Sequence, residues 1–281
     1  MTVKKENTEE TVRSHYSVSG LTENILSGLR KEGKDLDSIT TADLSVVDEF
    51  HIAGHEATQF LISRMRFKHT DHVLDIGSGI GGTARTIAVS AGCRVSGIDL
   101  TPDYVETAKA LSQLTRLDQQ VSFKVANALQ LPFEDEMFDA AVTLHVAMNI
   151  KDRDSLYREI YRVLKPGARL GIYDVMKKSD DPLDFPVPWA ENDQSSFLAT
   201  PEQMHNYLQN AGFDNIETED RSEFARDYFN RRIAAASGNR SALGPHLIMG
   251  DSARLKFKNM QSNLNAGRIS PVLMIAERKA D

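Results

Sequence analysis

The chain has 281 residues, 41% hydrophobic and 26% charged, a globular make-up with enough apolar surface for a sizeable core. Its net charge of −7 gives no overall attraction to nucleic acid or an anionic membrane, so neither is an expected partner. The one cysteine, Cys93, cannot close an internal disulfide; the opening "MTVKKENTEETVRSHY" has no apolar core; no run reaches the ~20 apolar residues of a membrane helix; together these predict a cytoplasmic chain.

Residues 1 to about 14 are polar. From Leu21 the apolar positions Leu21, Ile25, Leu26 and Leu29 recur at helical spacing, and "EGKD" ends the run. A second helix is expected from near Gly54, with Ala57, Phe60, Leu61 and Met65 along it. Residues 1–68 therefore read as an N-terminal helical arm, and 69–281 as the core. In that core five short apolar runs follow: "HVLDIG" (72–77), "RVSGIDL" (94–100), "VSFKVA" (121–126), "DAAVTLH" (139–145) and "ARLGIYDV" (168–175). Helical segments at 83–91, 102–115 and 152–164 separate them. Alternating strands and helices predict a parallel sheet covered on both faces, and near-continuous apolar strands fit that burial. In such a sheet, ligands lie beyond the carboxyl ends of the strands.

After Val175 the rhythm breaks. The stretch "KKSDDPLDFPVPWAENDQSS" carries three prolines and is long enough for a functional lid, at about 178–200. Thr200, Pro201 and Gly212 then frame a helix as N-cap, first turn and C-terminus. "DNIETED" (214–220) reads as a sixth strand and "ISPVLMIAER" (269–278) as a seventh, with a helical cap insertion over about 223–267 between them.

The stretch "VLDIGSGIGG" (73–82) is a strand, a tight glycine turn and a helix start. A glycine-x-glycine turn alone is a weak signal, but three further segments follow in order: "SGIDL" ending at Asp99, "ANALQLPFEDEMFD" (126–139) and "REIYRVLKPGARLGIYD" (158–174). Together they resemble the ordered motifs of class I methyltransferases that use S-adenosylmethionine. The resemblance implies an α/β, Rossmann-like, doubly wound fold with a mostly parallel seven-stranded sheet. It also implies S-adenosyl-L-methionine as cofactor, S-adenosyl-L-homocysteine as product, and no metal. Carried over residue by residue, Asp75 faces the methionine end, Gly77, Ser78 and Gly79 line the cofactor, and Asp99 accepts the ribose hydroxyls. Leu100 packs on the adenine. Asn127 stands where the family has an aspartate that accepts from the adenine amino group, with Ala128 beside it, and Leu144 touches the cofactor through its backbone.

Upstream, "HIAGHEATQFL" (51–61) resembles a segment of the sarcosine, dimethylglycine and phosphoethanolamine methyltransferases. That places Ala53 and Gly54 at the methionine carboxylate and Tyr16 over the active site. The loop "HVAMNI" (145–150) puts Asn149 where those enzymes pair a histidine with the tyrosine, and His145 where they have an aspartate at the acceptor amine. Met148, with Phe185 and Trp189 of the lid and His246 of the cap, is expected at the acceptor. His51 and His55 form a close histidine pair, but the intervening turn argues against a metal site. The resemblance implies a small-molecule methyl acceptor, first a small amine of the sarcosine or dimethylglycine type. The alternatives are O- or C-methylation of a phenol, quinone or other secondary metabolite with His145 as base, and a non-catalytic S-adenosylmethionine-binding protein.

Overall fold

The computed structural model describes residues 20–235 and 241–280. Helix α1 (Leu21–Lys31) buries Leu21, Ile25 and Leu29 on one face. Helix α2 (Thr41–Asp48) starts at a capping box, in which the Thr40 and Asp43 side chains satisfy backbone N–H groups at the helix start. Helix α3 (Gly54–Met65) follows Ala53, which holds a left-handed backbone.

The sheet then begins. Strand β1 (His72–Ile76) leads into α4 (Gly82–Ala91), β2 (Arg94–Asp99) into α5 (Pro102–Leu114), and β3 (Val121–Val125) runs to β4 (Phe138–Leu144). Helix α6 (Arg153–Val163) is capped by Asp152, whose carboxylate accepts from Ser155 N at 3.0 Å. Strand β5 (Leu164–Lys177) is followed by α7 (Pro201–Ala211), β6 (Phe213–Asp220), α8 (Ser222–Ala235), α9 (His246–Met249), α10 (Ala253–Asn265) and β7 (Ile269–Arg278). The strand order is β3-β2-β1-β4-β5-β7-β6, with β7 antiparallel to both neighbours and the rest parallel. Order reverses between β1 and β4, so their carboxyl ends open the crevice in which a ligand sits.

The structure adjusts the sequence reading in three places. Strand β5 begins at Leu164 rather than 168, because Leu164 already pairs with Phe138 before the register shifts to Ala140–Arg169. Helix α2 was not expected. The helical arm does not stand apart: Leu21, Ile25, Leu29, Leu44 and Val47 pack in one cluster with Tyr104 and Leu111 of α5 and with Leu243 and Ile248 near the cap.

The proline-rich segment is fastened rather than loose. Asp184 N donates to Asn263 Oδ1 and Asn263 Nδ2 donates back to Asp184 O, both at 2.9 Å; Asn259 Nδ2 donates to Pro186 O at 3.0 Å. Buried Lys256 pairs with Glu191 at 2.6 Å. Phe197 N donates to Met148 O at 2.9 Å, and Arg153 donates to Phe197 O. The segment is thus a wall, tied to α10 on one side and to the loop after β4 on the other. Among the described residues no helix is long and apolar enough to cross a membrane.

Candidate active site

Two cavities of about 840 Å³ each are present, one at the carboxyl ends of the strands and one beside it among the helices, the two sharing His145 just after β4. The first is lined by the β1 turn, the ends of β2 and β4, and residues 126–129. Its floor depends on glycine. Gly77 has φ +71, and a Cβ there would lie 2.3 Å from Val146 Cγ2. Gly79 has φ +52 with nothing within 4 Å of where a Cβ would stand, leaving its backbone open to a ligand. Asp99 closes this turn: its two oxygens accept from Gly79 N and Thr101 N, each at 2.9 Å. Burial pushes the Asp99 carboxyl up, against the pull of those two N–H groups.

Asp75 lies deeper and is 2% exposed. Among the described residues its Oδ2 has no hydrogen-bond partner. Burial first, then the charges of Asp99 and Glu49, push its carboxyl up to about 8. A buried carboxyl with one oxygen unpartnered, above a glycine turn and next to an acid end of β2, fits the cationic methionine end and ribose diol of S-adenosylmethionine. Asn127 and Ala128 line the same cavity farther out.

The pKa has a consequence for stability. The folded protein keeps the Asp75 proton up to about pH 8, whereas an ordinary aspartate at 3.8 has long released it. Folding therefore takes up a proton across that window, and stability falls as pH rises through it. The Asp75→Asn variant cannot ionise, so its melting temperature is expected to exceed that of the ligand-free wild type by a margin that widens from pH 5 to pH 8, reaching about 5 °C. It is also expected to bind S-adenosylmethionine about 10-fold more weakly. A constant gap across those pH values in parallel thermal melts would rule out the protonated Asp75.

The second cavity touches the first through His51, Phe50 and His145, which line both. His145 directly follows β4 and has φ +56, a strained value for a side-chain-bearing residue. Neighbours hold it there: His145 N donates to Tyr173 O at 2.8 Å, and Asp174 accepts from Val146 N at 2.8 Å and Ala147 N at 3.2 Å. The His51 and His145 ring centroids are 5.9 Å apart, and Tyr173 stacks 5.5 Å from His145. Burial, then the neighbouring His51, hold the His145 imidazole well below its ordinary value, so it is neutral at pH 7.

Behind His51 stands Glu49, fully buried. It accepts from His55 Nδ1 at 3.0 Å, from Thr86 Oγ1 at 2.7 Å and from Thr58 Oγ1. Burial raises its carboxyl, but the bond from His55, the charge of His51 and the two hydroxyls hold it below the ordinary range, so it is ionised. Neither Glu49 nor Asp48 was singled out in the sequence; the "DEFHIAGH" stretch offered only the spacing of the two histidines. Among the described residues no group of three or more His, Cys, Asp or Glu is arranged to hold a metal ion.

Asp75, Gly77, Ser78, Gly79, Asp99, Leu100, Asn127, Ala128, Leu144, His145 and Asn149 all line the first cavity. Ala53, Gly54 and His246 line the second. Ala53 and Gly54 thus line the second cavity and not the first, at a left-handed turn packed against the Glu49 backbone. Phe185, Trp189 and Met148 line neither. Trp189 and Met148 are buried in the main core cluster with Phe185 packed against it, and Trp189 Nε1 donates to Ser196 Oγ at 3.0 Å. Large apolar side chains gain more from that burial than from a wet cavity wall. Only Pro188 of the segment reaches the second cavity. Tyr16 lies outside the described residues.

Comparison with known proteins agrees with this geometry. The methyltransferase domain family matches residues 74–172. Methyltransferase GfsG of Streptomyces halstedii is 33% identical over 192 residues, 66% of this chain and 67% of that protein. O-methyltransferase resE of Aspergillus sclerotiorum is 31% identical over 179 residues, 63% of this chain and 68% of that protein. Among solved structures, Haemonchus contortus phosphoethanolamine N-methyltransferase 2 in complex with S-adenosyl-L-methionine aligns with a TM-score of 0.66 at 22% identity, covering 94% of this chain and 61% of that one, a likeness of fold. With the glycine turn, the Asp99 clasp and the strand order in place, the chain belongs to the class I S-adenosylmethionine-dependent methyltransferases.

Proposed function

We propose that this methyltransferase transfers the methyl group to a hydroxyl oxygen of a small, largely apolar molecule held in the second cavity. The observation that carries this reading is the chemistry of the acceptor side: two imidazoles at the junction between the cavities, and no uncommitted carboxylate in the second cavity. Of the two acids that line the second cavity, Glu49 is occupied by three donors and Glu56 pairs with Arg231 at 2.7 Å. Arg232, Arg254 and Lys258 line the same wall. A protonated amine would meet positive charge there, whereas a neutral or anionic acceptor would not. Phe50, Tyr228, Phe229 and Phe257 supply apolar surface for an aromatic body. A hydroxyl rather than the amine expected from the upstream resemblance is the better match to such a wall. That resE is by name an O-methyltransferase supports the same reading.

S-adenosylmethionine supplies a methyl group already activated on a sulfonium. The protein's part is to hold an oxygen lone pair on axis, exclude water and receive the hydroxyl proton. On this reading Asp99 takes the ribose hydroxyls, Asp75 faces the methionine end, Asn127 accepts from the adenine, and His145 and Asn149 border the transferred methyl. With methyl-labelled cofactor, the purified chain is expected to form ethers with hydroxylated aromatics at kcat/KM at least about 10-fold above sarcosine, dimethylglycine and phosphoethanolamine. Label appearing in the amines alone would sink this reading.

A further inference from the structure

We propose that His51, and not His145, takes the proton from the acceptor hydroxyl, with Glu49 fixing its tautomer and neutralising the imidazolium that forms. This rests on the hydroxyl reading above. Both histidines line both cavities, so position alone does not separate them. Their hydrogen bonds do.

The surroundings of His51 Nε2 contain only acceptors. Gly54 O lies at 3.0 Å and Glu49 Oε2 at 3.7 Å. Thr58 Oγ1 is also 3.0 Å away, but its single hydrogen is directed to Glu49 Oε2, leaving only lone pairs for His51. The ring hydrogen must therefore sit on Nε2, and Nδ1 carries the lone pair. Among the described residues nothing hydrogen-bonds Nδ1. The ring is held from behind and presents a bare nitrogen on a wall shared by the cofactor and acceptor cavities.

His145 has the opposite environment. Its Nε2 is buried and, among the described residues, has no partner. No acid stands behind it, and its neighbours are the ring of His51 and the ring of Tyr173. A proton placed on His145 would be an unpaired buried charge. A proton placed on His51 meets Glu49, which is anchored from two helices by His55 and Thr58 of α3 and Thr86 of α4. The titratable groups that face His51 are Glu49, His55, His145 and Tyr173. Burial lowers the His51 pKa and Glu49 raises it in return, so the ring is neutral and ready to accept.

The step balances. His51 Nδ1 takes the hydroxyl proton as the acceptor oxygen bonds to the methyl carbon. The carbon–sulfur bond breaks with its electron pair left on sulfur, giving a methyl ether, S-adenosylhomocysteine and a His51 imidazolium beside Glu49. The imidazolium returns its proton to solvent through the open second cavity. A bland alternative is that His51 only braces the first turn of α3 through Gly54 O, so the test needs a readout that bracing would not move.

Two measurements on the full chain give it. In ¹⁵N-histidine NMR of the S-adenosylhomocysteine complex, His51 is expected as the Nε2–H tautomer at pH 7, with its pKa lowered in Glu49→Gln. In kinetics with a hydroxyl acceptor, His51→Gln, whose amide can still donate to Gly54 O, is expected to lose about 100-fold in kcat. Its affinity for S-adenosylhomocysteine should stay within about 2-fold. Its residual rate should climb about 10-fold per pH unit as the hydroxyl ionises unaided. His145→Gln should lose less than about 10-fold. A wild type that methylates amines alone removes the hydroxyl reading itself. Hydroxyl methylation with His51 as the Nδ1–H tautomer, or with His51→Gln at wild-type turnover, overturns only the assignment of His51.

Discussion

Asp99→Ala is expected to weaken S-adenosylmethionine binding by two to four orders of magnitude, the span of two lost charge-assisted hydrogen bonds at ~1.5–3 kcal/mol each. The carboxylate has two tasks. One oxygen holds Gly79 N and the other Thr101 N, both at 2.9 Å, which shapes the glycine turn and the entry to α5. Asp99 also lines the first cavity, where a ribose presents two adjacent hydroxyls to a carboxylate. Alanine removes both tasks, leaving two backbone donors unsatisfied and no acceptor for the diol. Asparagine separates them: it keeps the shape of the side chain but offers one oxygen where two are needed. Its affinity should fall between wild type and Asp99→Ala, with a smaller loss of thermal stability. Calorimetric titration with S-adenosylmethionine and S-adenosylhomocysteine measures both variants. If Asp99→Ala binds within about 3-fold of wild type, the ribose is held elsewhere.

The cofactor half of the site was legible in the sequence because it is local. Strand, glycine turn and helix follow one another in a few residues, so "VLDIGSGIGG" carries its own geometry. Asp99 is just as local, ending an apolar run. The acceptor half is assembled from contacts that leave no pattern. Glu49 and His51 are two residues apart in an aperiodic turn, and what makes them a pair is Thr86, 37 residues on from Glu49. Phe185 and Trp189 sit in a proline-rich stretch that reads as a cover. Its clamps are Asn259 and Asn263, and the Asp184–Asn263 bond spans 79 residues. Helix α2 escaped notice for a related reason. Its apolar side chains give a single pair at helical spacing, Leu44 and Val47, too short a pattern to mark a helix, and Val46 beside them is 45% exposed. Its capping box, Thr40 with Asp43, is the one local signal it has.

The loss of Arg85 is expected to be the most damaging single change to stability. Arg85 is wholly buried on α4. Its Nη2 donates to Asp48 Oδ2 and to Ile80 O, each at 2.7 Å, and its Nη1 to Ala108 O at 3.1 Å and Ser112 Oγ at 3.0 Å. One guanidinium thus ties α2, the glycine turn and α5 together. Even beside Arg85, burial pushes the Asp48 carboxyl up to about 6, so desolvation already outweighs the attraction of its partner. Arg85→Met, of similar length and without charge, strands that carboxyl and takes a donor from Ile80 O, Ala108 O and Ser112 Oγ, the last two keeping their 2.8 Å bond to each other. Breaking a buried pair from one side costs ~3–5 kcal/mol, which corresponds to a melting temperature lower by about 10 °C in a chain of this size. Removing the charge from the other side as well, in Arg85→Met with Asp48→Asn, should recover about half of the loss, since no ion is then left unpaired. Cofactor affinity should not recover with it, because Ile80 O in the turn still lacks its donor. Thermal melts and S-adenosylhomocysteine titrations on both variants check this. A double variant no more stable than Arg85→Met alone would mean that the guanidinium acts through its three neutral acceptors and not through Asp48.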